Sequence, residues 1–299
     1  MTNEQDLYIL KNLKKTHGAS RIPKHVFREC RLPKKPEHEQ WRQVCGTEKI
    51  CRTECPRCWS LWIEEMRIPR GKKVGILGHS GSAKTTLLNQ LSLLDRPDED
   101  SDTFQLNYLE TQQLQTLSLV SGKHQIQSKL KQQLFGFVFQ LGYLTANLTA
   151  FQNVALPLAL AGTKRKLIQQ RVEELTAQMD FPKTRLNALP RHLSGGEYQR
   201  IAVARALSHN PQIVFADEPT GSLDPVTGQR VMELLTQWCD QDDTRTLMLV
   251  THNLEHALEY CDYVFVLVGG KISFHDSTEN IDASRLHHAL KKPISITTR

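Results

Sequence analysis

The sequence predicts an α/β fold built on a parallel sheet, and three observations carry that expectation. Ile213–Ala216, Thr246–Thr251 and Tyr263–Val268 are continuous apolar runs bounded by turn residues, the pattern of strands buried on both faces. Helical patterns separate them, as parallel strands joined by crossovers require. Lys73–Leu77 is a further short apolar run that stops at a glycine-rich loop, after which the apolar spacing of Thr85–Leu94 predicts a helix ended by Pro97.

The remaining elements follow in chain order. Leu7–Leu10 with Lys11–Leu13 reads as a strand entering a turn at His17–Gly18, and Leu61–Ile68 as a second strand. From Asp98 to Leu134 the chain is rich in Gln, Ser and Leu with weak periodicity and reads as surface strands and a helix. Gly136–Gln140 reads as a compact strand, and Thr145–Pro190 as mostly helical with Pro157 and Pro182 as breaks.

The bulk composition is that of a folded chain. Its 299 residues are 39% hydrophobic and 23% charged, enough to bury a core and too apolar for a disordered chain. No stretch approaches the roughly twenty apolar residues that span a bilayer, so any span must come from another chain. The start, Met1–Asp6, lacks a basic region followed by an apolar run, so a cytoplasmic protein is expected. Net charge is +6, yet residues 11–60 alone carry thirteen Lys and Arg against five Glu. Such a segment suits nucleotide phosphate, nucleic acid or anionic head groups, and equally a solvated basic loop.

Gly78-His79-Ser80-Gly81-Ser82-Ala83-Lys84-Thr85 follows a predicted strand and opens a predicted helix, the context of a phosphate-binding P-loop, or Walker A motif. Amides at a helix start converge on an anion and the helix dipole adds positive potential, so ATP is expected along the loop through Thr86. Lys84 would reach the β- and γ-phosphates, and the Thr85 hydroxyl would face Mg²⁺. Ala83 stands where the pattern has Gly. Its methyl would crowd the phosphates or, if φ is positive, strain the backbone by about 1–2 kcal/mol, so weakened ATP affinity is expected.

Ile213–Asp217 followed by Glu218 is an apolar strand ending in two carboxylates, the form of a Walker B motif. Asp217 would hold Mg²⁺ through water, and Glu218 would act on the attacking water as general base. Ser194 with Glu197 three residues on has capping-box spacing, which places Gly195 and Gly196 in the first turn of a helix.

Leu193-Ser194-Gly195-Gly196-Glu197-Tyr198-Gln199-Arg200 closely resembles the signature motif of ATP-binding cassette (ABC) proteins. The resemblance implies an ABC nucleotide-binding domain with a P-loop NTPase, RecA-like core, an antiparallel β subdomain and a helical subdomain. It implies a head-to-tail dimer in which Ser194–Glu197 face the γ-phosphate on the partner's Walker A loop. By the same resemblance Gln140 matches the Q-loop glutamine, a ligand and sensor of Mg²⁺ and water. Ser222, Leu223 and Asp224 match the D-loop at the dimer interface, and His252 the switch histidine that contacts the γ-phosphate. Likeness runs from about Leu7 to Ile272. Asp95-Arg96-Pro97, Gly136–Gln140, Asn153–Leu158 and Ala216–Asp224 bring it nearest to the ATPases of lipoprotein-release, macrolide-efflux and cell-division complexes. These work beneath an integral-membrane permease on the cytoplasmic face of the inner membrane, and a similar partner is implied.

The organisation expected is a single ABC domain over 1–299, with an inserted Cys-rich segment at 19–59, a helical subdomain at 141–193 and a C-terminal tail at 273–299. The family has only a few residues between the first two strands where this chain has about forty. Cys45, Cys51, Cys55 and Cys58 there would close a tetrahedral zinc site; the C-x3-C-x2-C spacing of Cys51, Cys55 and Cys58, with Cys45, also fits an iron–sulfur cluster, and free or redox-active thiols are the third reading. His17 occupies the place of the family's adenine-stacking aromatic, or is a plain turn residue, with Tyr8, Trp41, Trp59 or Trp62 as substitutes. Cys239 and Cys261 read as buried small apolar residues.

Two functions are consistent with these residues. The first is an ATPase that drives a permease as nucleotide closes and opens the dimer. The second is a soluble ABC ATPase acting on nucleic acid through the basic insertion. The first is preferred, because relatives of the second kind carry two cassettes or a long coiled coil, which this chain lacks.

Overall fold

A computed structural model describes residues 6–16, 59–98, 101–111, 113–120, 124–140, 142–221 and 223–291. The chain opens with β1 (Asp6–Thr16), which pairs antiparallel with β2 (Trp59–Pro69). Leu7–Leu10 are buried together, and outward-facing residues begin only at Lys11. β3 (Lys73–Leu77) starts a second sheet and leads into α1 (Lys84–Leu91). β4 (Thr103–Glu110) and β5 (Gln113–Ser118) complete the first sheet, in the order β2-β1-β4-β5. The weakly periodic stretch therefore does hold strands, and β4 is not merely superficial, because Phe104 and Leu106 are fully buried.

The second sheet has six strands in the order β10-β9-β3-β8-β7-β6, formed by β6 (Phe135–Val138), β7 (Ile213–Asp217), β8 (Thr246–Thr251), β9 (Tyr263–Val268) and β10 (Lys271–Ser277). All pairs from β9 to β6 are parallel, and β10 lies antiparallel on β9. Side chains alternate across it as strand geometry requires. Ile213 and Phe215 join a core with α1, Phe104 and Phe135, whereas Val214 and Ala216 join the core of the opposite face. This two-sided burial is why the strands read as unbroken apolar runs.

The helices are α2 (His124–Leu134), α3 (Ala150–Leu160), α4 (Arg165–Gln178), α5 (Gly195–Leu207), α6 (Pro225–Asp240), α7 (Leu254–Tyr260) and α8 (Ala283–Lys291). Within the stretch read as a tail, residues 273–291 supply most of β10 and α8, whose Leu286 is fully buried. No helix among the described residues is long and apolar enough to cross a membrane.

Three sequence readings need correction. α1 ends at Leu91, well before Pro97, because Leu93 turns left-handed (φ 57°) and the amides of Leu94 and Asp95 both close on the Asn89 carbonyl. The strand at 136–140 stops at Val138 and leaves Gln140 in the turn beyond it. Pro157 does not break its helix but lies inside α3. Proline there forfeits one hydrogen bond near the helix end, while buried Val154 and Ala155 keep the helix on its neighbours.

Candidate nucleotide site

Parallel strands deliver their following loops to one edge of a sheet, and ligands bind beyond that carboxyl edge. β3, β8, β7 and β6 are consecutive neighbours. The phosphate loop, His252, the Asp217–Glu218 pair and Gln140 follow them in that order, so residues up to 174 positions apart in sequence meet at one edge.

Within the loop, His79, Ser80 and Gly81 are exposed, Gly78 and Ser82 are buried, and Thr86 is half-buried at the start of α1. The Ser82 hydroxyl is buried and has no hydrogen-bond partner among the described residues. Ala83 has φ 74° and ψ 22°, so the backbone strain expected of a positive φ is present. The Lys84 ammonium donates to the carbonyls of Gly78 (2.7 Å) and His79 (3.0 Å). Burial lowers its pKa, against the opposing pull of Glu218 and Asp217.

Thr85 donates its hydroxyl to Asp217 Oδ2 at 3.3 Å. Burial raises the Asp217 carboxyl above its ordinary range; the Thr85 hydrogen bond and Lys84 oppose this, and the neighbouring Glu218 adds to it. A buried, partnerless hydroxyl, the unpaired amides of a helix start and a buried ammonium fit a polyphosphate. A hydroxyl touching a carboxylate fits a hard cation such as Mg²⁺.

Glu218 holds a left-handed backbone (φ 45°), fixed by its amide on the Val250 carbonyl and by its own carbonyl on the Gly221 amide. Its Oε1 lies 2.9 Å from His252 Nδ1. Gln140 is exposed beside Gly221, where an added Cβ would sit 3.2 Å from Gln140 Nε2 and 3.6 Å from Glu218 Oε2. Both groups thus lie close to Gly221, on one face of the loop. Leu223 closes a turn on the Thr220 carbonyl, and Asp224 caps α6 by accepting from the Thr227 amide, which also lowers its pKa.

Ser194 caps α5 through a complete capping box: its hydroxyl accepts from the Glu197 amide, and Glu197 accepts from the Ser194 amide at 2.8 Å. Gly195 faces open space. Among the described residues, no hydrogen bond or ion pair joins Ser194–Glu197 to residues 78–86, Asp217, Glu218 or His252. The phosphate loop, both carboxylates, Gln140 and His252 thus converge, and the signature segment stands apart.

His17, Ser222 and the cysteines at 45, 51, 55 and 58 lie outside the described residues. Among the substitutes for His17, Tyr8 is excluded: it is fully buried, donates to the Leu91 carbonyl at 2.6 Å and stacks on Phe104. Trp62 is half-buried, donates to Asn12 and carries the Lys271 ammonium 4.2 Å above its ring.

Sequence reasoning missed two supporting residues. Arg185 grips Glu197 with two hydrogen bonds of 3.0 and 3.1 Å and also donates to the His192 carbonyl. No local pattern points to it. Gln199 is 2% exposed, and its signal was available: a polar residue at i of a stripe continued by Ala202, Val203 and Ala206.

A family profile described as "ABC transporter" matches residues 64–221. The chain is 36% identical over 227 residues to the lipoprotein-releasing system ATP-binding protein LolD 2 of Caulobacter vibrioides, covering 76% of this chain and 94% of that one. It is 37% identical over 207 residues to the macrolide export ATP-binding/permease protein MacB of Bartonella henselae, covering 69% of this chain but 29% of that one. Among solved structures, the dimeric post-hydrolysis state of the ATP-binding cassette MJ0796 bound to ADP and Pi superposes with a TM-score of 0.67 at 26% identity. That match covers 92% of this chain and all of the other. The chain belongs to the ABC transporter family, as one of its ATP-binding, ATP-hydrolysing subunits.

Proposed function

We propose that this subunit dimerises head to tail and drives a permease of the lipoprotein-release and macrolide-efflux kind from the cytoplasmic face of the inner membrane. The observation that supports it most is the Glu218–His252 pair, set at the same sheet edge as the Lys84 ammonium and the Thr85–Asp217 contact. Residues 78–86 hold the triphosphate of ATP, with Lys84 turning from its loop carbonyls to the β- and γ-phosphates. Thr85, Asp217 and Gln140 would hold Mg²⁺, which would supply charge neutralisation at those phosphates. Glu218 takes a proton from water as the water oxygen bonds to the γ-phosphorus. The bond from that phosphorus to the bridging oxygen breaks, its electron pair stays on ADP, and phosphate is released. His252 holds the Glu218 carboxylate and reaches the γ-phosphate. Ser194, Gly195, Gly196 and Glu197 of the second copy close the site, with Ser222, Leu223 and Asp224 beside the interface.

Relatives named for lipoprotein release and macrolide export support the choice of permease. Purification of the tagged chain from membranes tests it. A co-purifying permease that stimulates ATP turnover is expected, and a chain found only with nucleic acid would overturn the proposal. Metal analysis of the same sample decides the insertion: stoichiometric zinc supports a structural site at Cys45, Cys51, Cys55 and Cys58, a coloured iron-containing sample supports a cluster, and neither metal leaves free thiols.

A further inference from the structure

The amide of Gln199 joins two parts of the molecule that are far apart in sequence. Its Nε2 donates one proton to the Phe139 carbonyl (3.2 Å) and the other to the Pro219 carbonyl (3.0 Å). Phe139 immediately precedes Gln140, and Pro219 immediately follows Glu218. One side chain, sealed from water, therefore fixes the backbone on which both residues are carried. Gln199 itself rides on α5, five residues from the Ser194 cap at its exposed start.

Two other side chains of α5 tie down the same loop. Arg205 donates to the carbonyls of Gly142 (2.8 Å) and Tyr143 (2.7 Å), and Tyr198 accepts from the Leu144 amide at 2.8 Å. Gly142 has φ 66° and touches the Tyr198 ring, since an added Cβ would lie 2.6 Å from it. The loop beyond β6 is thus moulded onto α5. Only Gln199, however, also reaches the strand-end loop that carries Glu218. Glu218 sits in a left-handed conformation that a non-glycine residue keeps only when its surroundings dictate it, and the Pro219 carbonyl is one of the points at which they do.

We propose that Gln199 is a positioning residue, which sets Gln140 and Glu218 in register with the start of α5 so that engagement of Ser194 by a second copy completes the hydrolytic geometry. The inference rests on the proposed roles of Glu218 and Ser194. It differs from general support of the fold, because the two anchored carbonyls adjoin the two residues assigned to the water and metal, while no hydrogen bond joins Gln199 to the phosphate loop among the described residues. Loss of Gln199 is therefore expected to separate turnover from binding.

Gln199→Met keeps length and volume but removes both donors. Its ATP affinity should stay within about three-fold of the parent while kcat falls at least about ten-fold. Hydrogen exchange should quicken in peptides spanning Phe139 and Pro219 and not in those spanning Lys84. If the methionine variant does not fold, Gln199→Leu, smaller and also without donors, carries the same expectation. An unchanged kcat in a folded variant overturns the inference, as does an equal loss of affinity and kcat. Glu218→Gln run alongside tests the underlying reading: if that variant retains full turnover, the assignment of the catalytic base fails first, independently of Gln199.

Discussion

His252 Nδ1 lies 2.9 Å from Glu218 Oε1, joining the ends of neighbouring parallel strands β8 and β7. The carboxylate that would take a proton from water thereby has its orientation fixed by an imidazole 34 residues away. If Glu218 is the general base, Glu218→Gln should bind ATP normally and lose about 10²–10⁴ in turnover. His252→Ala, which frees the carboxylate without removing it, should lose less. Phosphate release measured beside equilibrium nucleotide binding checks both, and a glutamine variant close to full turnover would refute the assignment.

Ala83 sits in left-handed space within the phosphate loop. Ala83→Gly relieves strain of about 1–2 kcal/mol but adds unfolded-state entropy of about 0.4–1 kcal/mol, so the net gain in thermal stability should be small. If residues 78–86 hold the triphosphate as proposed, removal of the methyl also clears space for the phosphates. ATP affinity should rise several-fold; unchanged or poorer binding would show that Ala83 is not what limits it.

Arg185 holds Glu197, and its hydrogen bonds are the largest cause of a lowered Glu197 pKa, with partial burial opposing. A lowered folded-state pKa means that the contact contributes stability above the ordinary carboxylate range and loses it as pH falls through the lowered value. Arg185→Ala should therefore destabilise the chain at neutral pH, and the difference from the parent should shrink in acid below that range. Urea titrations at several pH values check this. A difference that persists undiminished in strong acid would mean that Arg185 acts through packing.

Cys239 and Cys261 are buried, and burial pushes their thiols up to about 11 and about 12. At neutral pH both are therefore overwhelmingly thiol and shielded, so neither should react with an alkylating reagent in the native state. Mass-spectrometric mapping after brief iodoacetamide treatment should find both unmodified, and both modified once the chain is unfolded. Rapid native labelling of either would contradict their burial.

What could be read from the sequence had local spacing behind it. The buried strands, the phosphate loop, the Asp217–Glu218 pair and the Ser194–Glu197 capping box each sit within a few residues, so pattern suffices. Arg185 on Glu197 and Gln199 on Phe139 and Pro219 join segments 12 to 60 residues apart, and no spacing rule encodes such contacts. Pro157 misled because its breaking tendency is a backbone cost that packing of α3 overrides. Leu93 misled for the opposite reason: nothing in a leucine announces a left-handed turn that ends a helix.

In the proposed head-to-tail dimer, a working site needs Lys84 of one chain and Ser194 of another. Lys84→Ala and Ser194→Arg should each be inactive alone. Mixed, they form heterodimers in which one site carries both lesions and the other carries neither. Mixing should restore ATP turnover to roughly a quarter of the parent level, from the one intact site in half of the dimers. No recovery on mixing, with heterodimers shown to form, would contradict it.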